Sequence, residues 1–281
     1  MQPVALVRRS RRLSVAALAV ALSIASAGVA LAVTNPPITT STPRSANDIT
    51  NVDVLRQQIR NYYGDPLGSG TFASDSNYAK EATKVARDGE HWLAHPHPMP
   101  PHGPPSAHGT KAIVLDVDDT TLATWNYEIF SNWAFSPATN GDFVNGERFP
   151  AVPGMVAMVN QAKAEGYAIF YLTGRPLSQE GHTLGNLATA GYPAATNASA
   201  SEDGLFTKPP VISYPAYLQT ACAGDPNGGT CTTIHYKSAT RAHIESLGYD
   251  IVANFGDQFS DLNGGFADKT FKMPNPSYFL P

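Results

Sequence analysis

Two apolar runs in this chain end in aspartates, and that pairing restricts the fold more than any other feature. Ala112-Ile113-Val114-Leu115 runs straight into Asp116-Val117-Asp118-Asp119. Asp250-Ile251-Val252-Ala253-Asn254 leads through Phe255-Gly256 to Asp257, with Asp261 four residues on. A short continuous apolar run reads as a strand buried on both faces, the habit of parallel sheets. Ala168-Ile169-Phe170-Tyr171-Leu172 is a third such run. Between the runs lie helical patterns over Gly154–Glu165, Ser178–Ala190 and Ser238–Leu247, each closed by Gly-Tyr at 166–167, 191–192 and 248–249. Glycine supplies the left-handed residue that stops a helix. Helix alternating with apolar strand predicts an α/β fold, a Rossmann-like parallel sheet flanked by helices. Ligands of such sheets bind beyond the carboxyl ends of the strands. The aspartates stand there.

The rest of the chain divides around this core. Arg8, Arg9, Arg11 and Arg12 precede an Ala-rich apolar run, Leu13 to Ala32, that ends in Ala30-Leu31-Ala32. This is the pattern of an export signal peptide with a small-residue cleavage site. The competing reading is a transmembrane anchor; Ser, Gly and Ala dilute the run and favour export. The chain is then expected outside the cell or in the cell envelope, with no stable membrane anchor after cleavage. Residues 33–109 hold two helical patterns, Asn51–Tyr63 and Asn77–Ala94, and a Pro/His-rich strap from His95 to Pro105. Prolines at that density forbid helix and central strand. Five of eight histidines fall between His91 and His108, but their irregular spacing favours a solvated strap over a metal site. Residues 110–281 form the core, with insertions at 123–150 and 193–235.

Composition narrows the function. Hydrophobic residues make up 42% of the chain, enough for a real core, which excludes wholesale disorder. The net charge is −4, and −8 once the four leader arginines are removed. That excludes a general nucleic-acid partner. Cys222 and Cys231 flank a turn-rich segment. In an exported chain a disulfide between them is the expected state, with two free thiols the alternative.

The chemistry follows from the residue types at the strand ends. Residues i and i+2 of a strand point the same way, so Asp116 and Asp118 face one point. Adjacent carboxylates repel, and a cation or a shared proton is expected between them. Oxygen-only ligands suit a hard divalent ion such as Mg²⁺. Thr173-Gly174-Arg175-Pro176 reads as a strand-to-helix turn able to cradle an anion. Lys237 falls at the start of a helix pattern, where the macrodipole disfavours a cation unless an anion sits beside it. An acidic Mg²⁺ site, a hydroxyl cradle and a lysine suit phosphoryl transfer, with Asp116 as nucleophile and Asp118 as acid/base.

This set, in this order, resembles the haloacid dehalogenase superfamily of phosphohydrolases. It is most similar to the secreted acid phosphatases of the class C and class B type, which include the plant vegetative storage proteins. Val114 to Tyr127 and Val252 to Asp257 with Asp261 carry the resemblance, which covers about residues 75–281. It implies a haloacid dehalogenase-like core with a small helical, aromatic cap. It implies an aspartyl-phosphate on Asp116 and a leaving oxygen protonated by Asp118, which then activates water. Mg²⁺ would be held by Asp116, the Asp118 carbonyl and Asp257, with Asp261 nearby. Thr173, Gly174 and Lys237 would hold the phosphate. The sequence departs from the pattern at Asp119, at Gln258-Phe259 and Leu262, and in lacking a lipoprotein cysteine. The expected activity is hydrolysis of small phosphomonoesters. Transfer to an alcohol, or an idle storage protein on the same fold, are the alternatives. Trp125, Tyr127, Phe130 and Trp133 follow the nucleophile and are expected to select the leaving group, nucleotide-like or broad.

Overall fold

The computed structural model describes residues 42–95 and 109–280. The expected leader, residues 1–32, and the strap beyond His95 lie outside the described residues. Five strands form one parallel sheet: β1 (Thr110–Leu115), β2 (Ala168–Pro176), β3 (Leu205–Lys208), β4 (Tyr249–Gly256) and β5 (Thr270–Lys272), in the order β3-β2-β1-β4-β5. The helices are α1 (Val52–Tyr62), α2 (Asn77–Leu93), α3 (Trp125–Ser131), α4 (Pro137–Asn145), α5 (Met155–Ala164), α6 (Glu180–Thr189), α7 (Ala216–Ala221), α8 (Pro226–Gly229), α9 (Thr233–Ser246) and α10 (Phe259–Leu262). The α/β reading of the sequence is what the chain adopts.

Strand alternation divides the core in two. Ile113 and Leu115 of β1 pack with Ala82 and Ala86 of α2 and with Met155, Met158 and Val159 of α5. Ala112 and Val114 face the other way, toward Leu218 of α7 and Tyr236 and Ile244 of α9. Each fully buried aliphatic side chain contributes roughly 1.5–3 kcal/mol relative to exposure. At Gly89 of α2 an added Cβ would lie 2.7 Å from the Phe255 ring of β4. Glycine lets that helix lie directly on the sheet.

α2 docks on the core through Ala82, Ala86 and Leu93, whereas α1 docks through aromatics at its carboxyl end. Val54 and Leu55 of α1 are exposed; only Ile59 of that helix is buried. Tyr63 instead stacks on Trp125 at 4.1 Å and on Tyr78 at 4.3 Å. Cys222 and Cys231 form the expected disulfide, Cα atoms 4.9 Å apart, against the α7/α9 face. Closing so short a loop contributes ~2–3 kcal/mol.

Register positions the site. Leu115 lies opposite Phe255 of β4 and Tyr171 of β2. Asp116 therefore leaves the sheet between Gly256-Asp257 on one side and Leu172-Thr173 on the other.

Candidate active site

Asp116, Asp257 and Asp261 converge at the carboxyl ends of β1 and β4, each offering a carboxylate oxygen within 4.8 Å of the others. All three are buried. Three carboxylates cannot be desolvated together without positive charge. Lys237 supplies one: its Nζ donates to Asp116 Oδ1 and lies 2.8 Å from Asp261 Oδ1, and it also donates to the Leu172 carbonyl at 3.0 Å. Burial alone would lower the lysine, but Asp116 and Asp261 outweigh it and raise its pKa. One lysine against three acids leaves negative charge uncompensated. Burial pushes Asp116 up to about 7, with Lys237 opposing and Asp261 and Asp118 adding. Burial and the neighbouring carboxylates push Asp257 well above its ordinary value. This buried, oxygen-only donor set fits a hard divalent cation.

Lys237 does not sit at a helix start as its sequence context suggested. α9 begins at Thr233, so Lys237 is one turn in, and its position is explained by the carboxylates it reaches. The same helix carries Arg241 one turn further on. Its guanidinium, fully buried, donates to the carbonyls of Asp261, Asn263 and Gly265 at 2.7, 2.5 and 2.9 Å. α9 thus holds Asp261 by both side chain and backbone.

Asp118 points elsewhere. Arg175 takes it in a fork, Nη2 to Oδ1 at 2.7 Å and Nε to Oδ2 at 3.1 Å. The guanidinium lies over Phe149 at 5.3 Å and donates to Thr183 at 3.1 Å. A bidentate pair fixes direction as well as charge. Nothing in the Thr173–Pro176 segment shows that Arg175 reaches back 57 residues to Asp118. The next residue, Asp119, has a φ of +53°, a left-handed conformation that aspartate tolerates better than most residues. Asp119 turns inward, accepting from the Thr124 backbone at 2.9 Å and from the Thr124 hydroxyl. Burial raises it to about 6 against those hydrogen bonds.

The expected anion cradle differs from its description in sequence. Thr173, Gly174 and Arg175 are not a strand-to-helix turn, because β2 continues to Pro176. Thr173 is buried and its Oγ1 accepts the Arg175 N–H at 3.1 Å. Gly174 lines the cavity.

Above the carboxylates lies a cavity of about 590 Å³. Asp116, Asp118, Lys237, Asp257 and Asp261 form its floor. Tyr127, Trp133 and Phe135 form one wall, and Tyr278, Phe279 and Leu280 another. Of the four aromatics expected to select the leaving group, two line the cavity and two do not. Trp125 is buried away from it, stacked on Tyr63 and donating from Nε1 to Asp65 at 3.0 Å. Phe130 is exposed and packs against Phe143. Both point off the cavity side of α3. Glu128, on the helix between them, does line it, and burial with Asp119 and Asp118 nearby pushes its carboxyl up to about 8. The four expected selectors leave out Phe135, and the sequence reading missed Glu128 and residues 275–280.

Known proteins bear on this geometry. The chain is 30% identical over 178 residues to a stem 28 kDa glycoprotein of Glycine max, covering 62% of this chain and 61% of that one. It is 28% identical over 181 residues to acid phosphatase 1 of Solanum lycopersicum, covering 61% and 60%. The matches thus span about three-fifths of those relatives. Among solved structures, the class C acid phosphatase of Bacillus anthracis superposes with a TM-score of 0.53 at 19% identity, covering 80% of this chain and 86% of that one. At that identity the likeness is one of fold. Residues 32–281 match the family described as HAD superfamily, subfamily IIIB (acid phosphatase), and the chain belongs to it.

Proposed function

We propose that this chain is an exported, Mg²⁺-dependent acid phosphatase that hydrolyses small phosphomonoesters through an aspartyl-phosphate. One observation carries the reading: Asp116 sits among two further buried carboxylates and Lys237, while Asp118 is held apart by Arg175 on the floor of the same cavity. The two carboxylates are thereby assigned different work. Asp116 Oδ attacks phosphorus and the ester oxygen leaves. Asp118, turned toward the cavity, gives that oxygen a proton. It then takes a proton from the water that cleaves the acyl phosphate, so the enzyme returns unchanged. Lys237 and Gly174 border the phosphoryl position, and Thr173 steadies the backbone there.

Asp116, Asp257, Asp261 and the Asp118 backbone carbonyl would hold the cation. Bound there, a divalent ion supplies charge neutralisation for the transferring phosphoryl group. Tyr127, Trp133 and Phe135 support an aromatic or nucleotide-like leaving group. Residues 1–32 and the disulfide support export, and no helix among the described residues is long and apolar enough to cross a membrane. The named activity of the tomato relative supports turnover over storage.

The test is turnover of a chromogenic phosphate ester at acid pH. Exhaustive chelation should silence it and Mg²⁺ restore it. Asp116→Asn should lower kcat by on the order of 10³ or more, since covalent catalysis is lost. Activity that survives either treatment would overturn the mechanism.

A further inference from the structure

Asp257 is unusual among the floor carboxylates because its hydrogen bonds come from two neutral amides. Asn275 Nδ2 donates to Asp257 Oδ2 at 2.7 Å, and Gln258 Nε2 donates to the same oxygen at 2.6 Å. Among the described residues no hydrogen bond is made to Oδ1. A side-chain amide can present either its oxygen or its nitrogen, so something must choose. Here the choice is made twice by one segment. The Ser277 N–H donates to Asn275 Oδ1 at 2.8 Å, and the Leu280 N–H donates to Gln258 Oε1 at 3.0 Å. A backbone N–H can only donate. Each therefore holds the carbonyl end of its amide and leaves the NH₂ end to Asp257. The Ser260 hydroxyl donates to the Leu280 carbonyl at 3.2 Å and pins the end of the segment.

We propose that residues 275–280 are a positioning strap for the metal ligand Asp257. The strap acts directly through Asn275 and indirectly through Gln258, fixing Oδ2 so that Oδ1 is the oxygen presented to the cation. The proposal rests on the metal-site reading above. Partners that orient a ligand in this way are worth typically 10–100-fold in metal affinity. The same strap carries Phe279 and Leu280 into the cavity wall, so one segment serves both the metal ligand and the wall facing the leaving group.

The test is Mg²⁺ binding to the full chain, read by titration calorimetry and by the Mg²⁺-induced rise in melting temperature. Asn275→Leu and Gln258→Met keep side-chain volume and remove the amides. Each should weaken Mg²⁺ binding severalfold, and the pair by roughly 10–100-fold, with the melting temperature in chelator close to wild type. Leu280→Pro removes the N–H that holds Gln258, together with the leucine side chain and the backbone freedom of Phe279, and should weaken Mg²⁺ binding at least as much as Gln258→Met. A double variant that binds Mg²⁺ within twofold of wild type would overturn the strap. So would a loss matched by an equal fall in metal-free stability. A wild type that binds no divalent cation would instead sink the metal site, and the strap with it.

Discussion

The floor and the rim of the cavity are built on opposite terms. On the floor every charged group has a designated partner: Lys237 for Asp116 and Asp261, Arg175 for Asp118, Asn275 and Gln258 for Asp257. The rim is aromatic and open at its outer edge, with Phe135 71% and Phe279 42% exposed. A paired, buried floor is preorganised, which suits stabilising a fixed charge distribution. An apolar rim without such pairings offers area instead of direction, and suits a leaving group that varies. The two regions should therefore fail differently when mutated.

The floor should fail hardest and without regard to substrate. Asp118→Asn removes the proton carrier and should lower kcat by on the order of 10²–10⁴ for aromatic and aliphatic esters alike. Arg175→Lys keeps the charge but loses the fork, and should cost less while shifting the pH profile of turnover. A substrate-dependent loss in Asp118→Asn would break the division between floor and rim.

At the rim the expected loss is smaller and selective. Stacking of a base on an aromatic is worth roughly 1–3 kcal/mol. Phe135→Ala and Trp133→Ala should lower kcat/KM for nucleotide or aryl esters by about tenfold, leaving glycerol phosphate nearly unchanged. Trp125→Ala is the internal control. Its ring is buried in the aromatic stack with Tyr63, so it should lower the melting temperature and harm all substrates together. Kinetics on both ester types, set beside melting curves, separate the cases. Equal losses on both esters for Phe135→Ala would remove the selector role.

That same contrast decides what could be read in advance. The sheet was legible because β1, β2 and β4 are continuous apolar runs, and their aspartates follow from strand polarity. Lys237 was legible as a misplaced cation, although its helix begins one turn earlier than its neighbours suggested. Arg175 and Asn275 were not, because their partners are 57 and 18 residues away, and no local period encodes such a distance. The rim was half legible for a different reason. An aromatic-rich helix shows that rings are present, but rotation about its axis decides which face the cavity. Trp125 and Tyr127 are two residues apart, yet one stacks inside and the other lines the wall. The left-handed turn at Asp119 carries no glycine to announce it.

Glu128 belongs to neither region and gives the finest test of the boundary. It lines the cavity from α3 with a buried carboxyl that no described residue pairs. Burial first, then Asp119 and Asp118, raise it from its ordinary 4.5 to about 8. Between those two values the unfolded chain has released this proton and the folded chain keeps it. The folded state then binds more protons, so this group lowers stability as pH rises from about 4.5 to 8 and levels off above. Below 4.5 both states are protonated and the residue is neutral to stability. Glu128→Gln mimics the protonated form and removes the dependence. The variant should match wild type near pH 4 and exceed it near pH 8. Even half of the raised interval is worth about 2 kcal/mol, or roughly 4–8 °C in melting temperature for a domain of this size. Melting curves of both proteins across pH 4–9 measure it. A difference that stays flat with pH would mean that Glu128 is solvated like the rim and not buried like the floor.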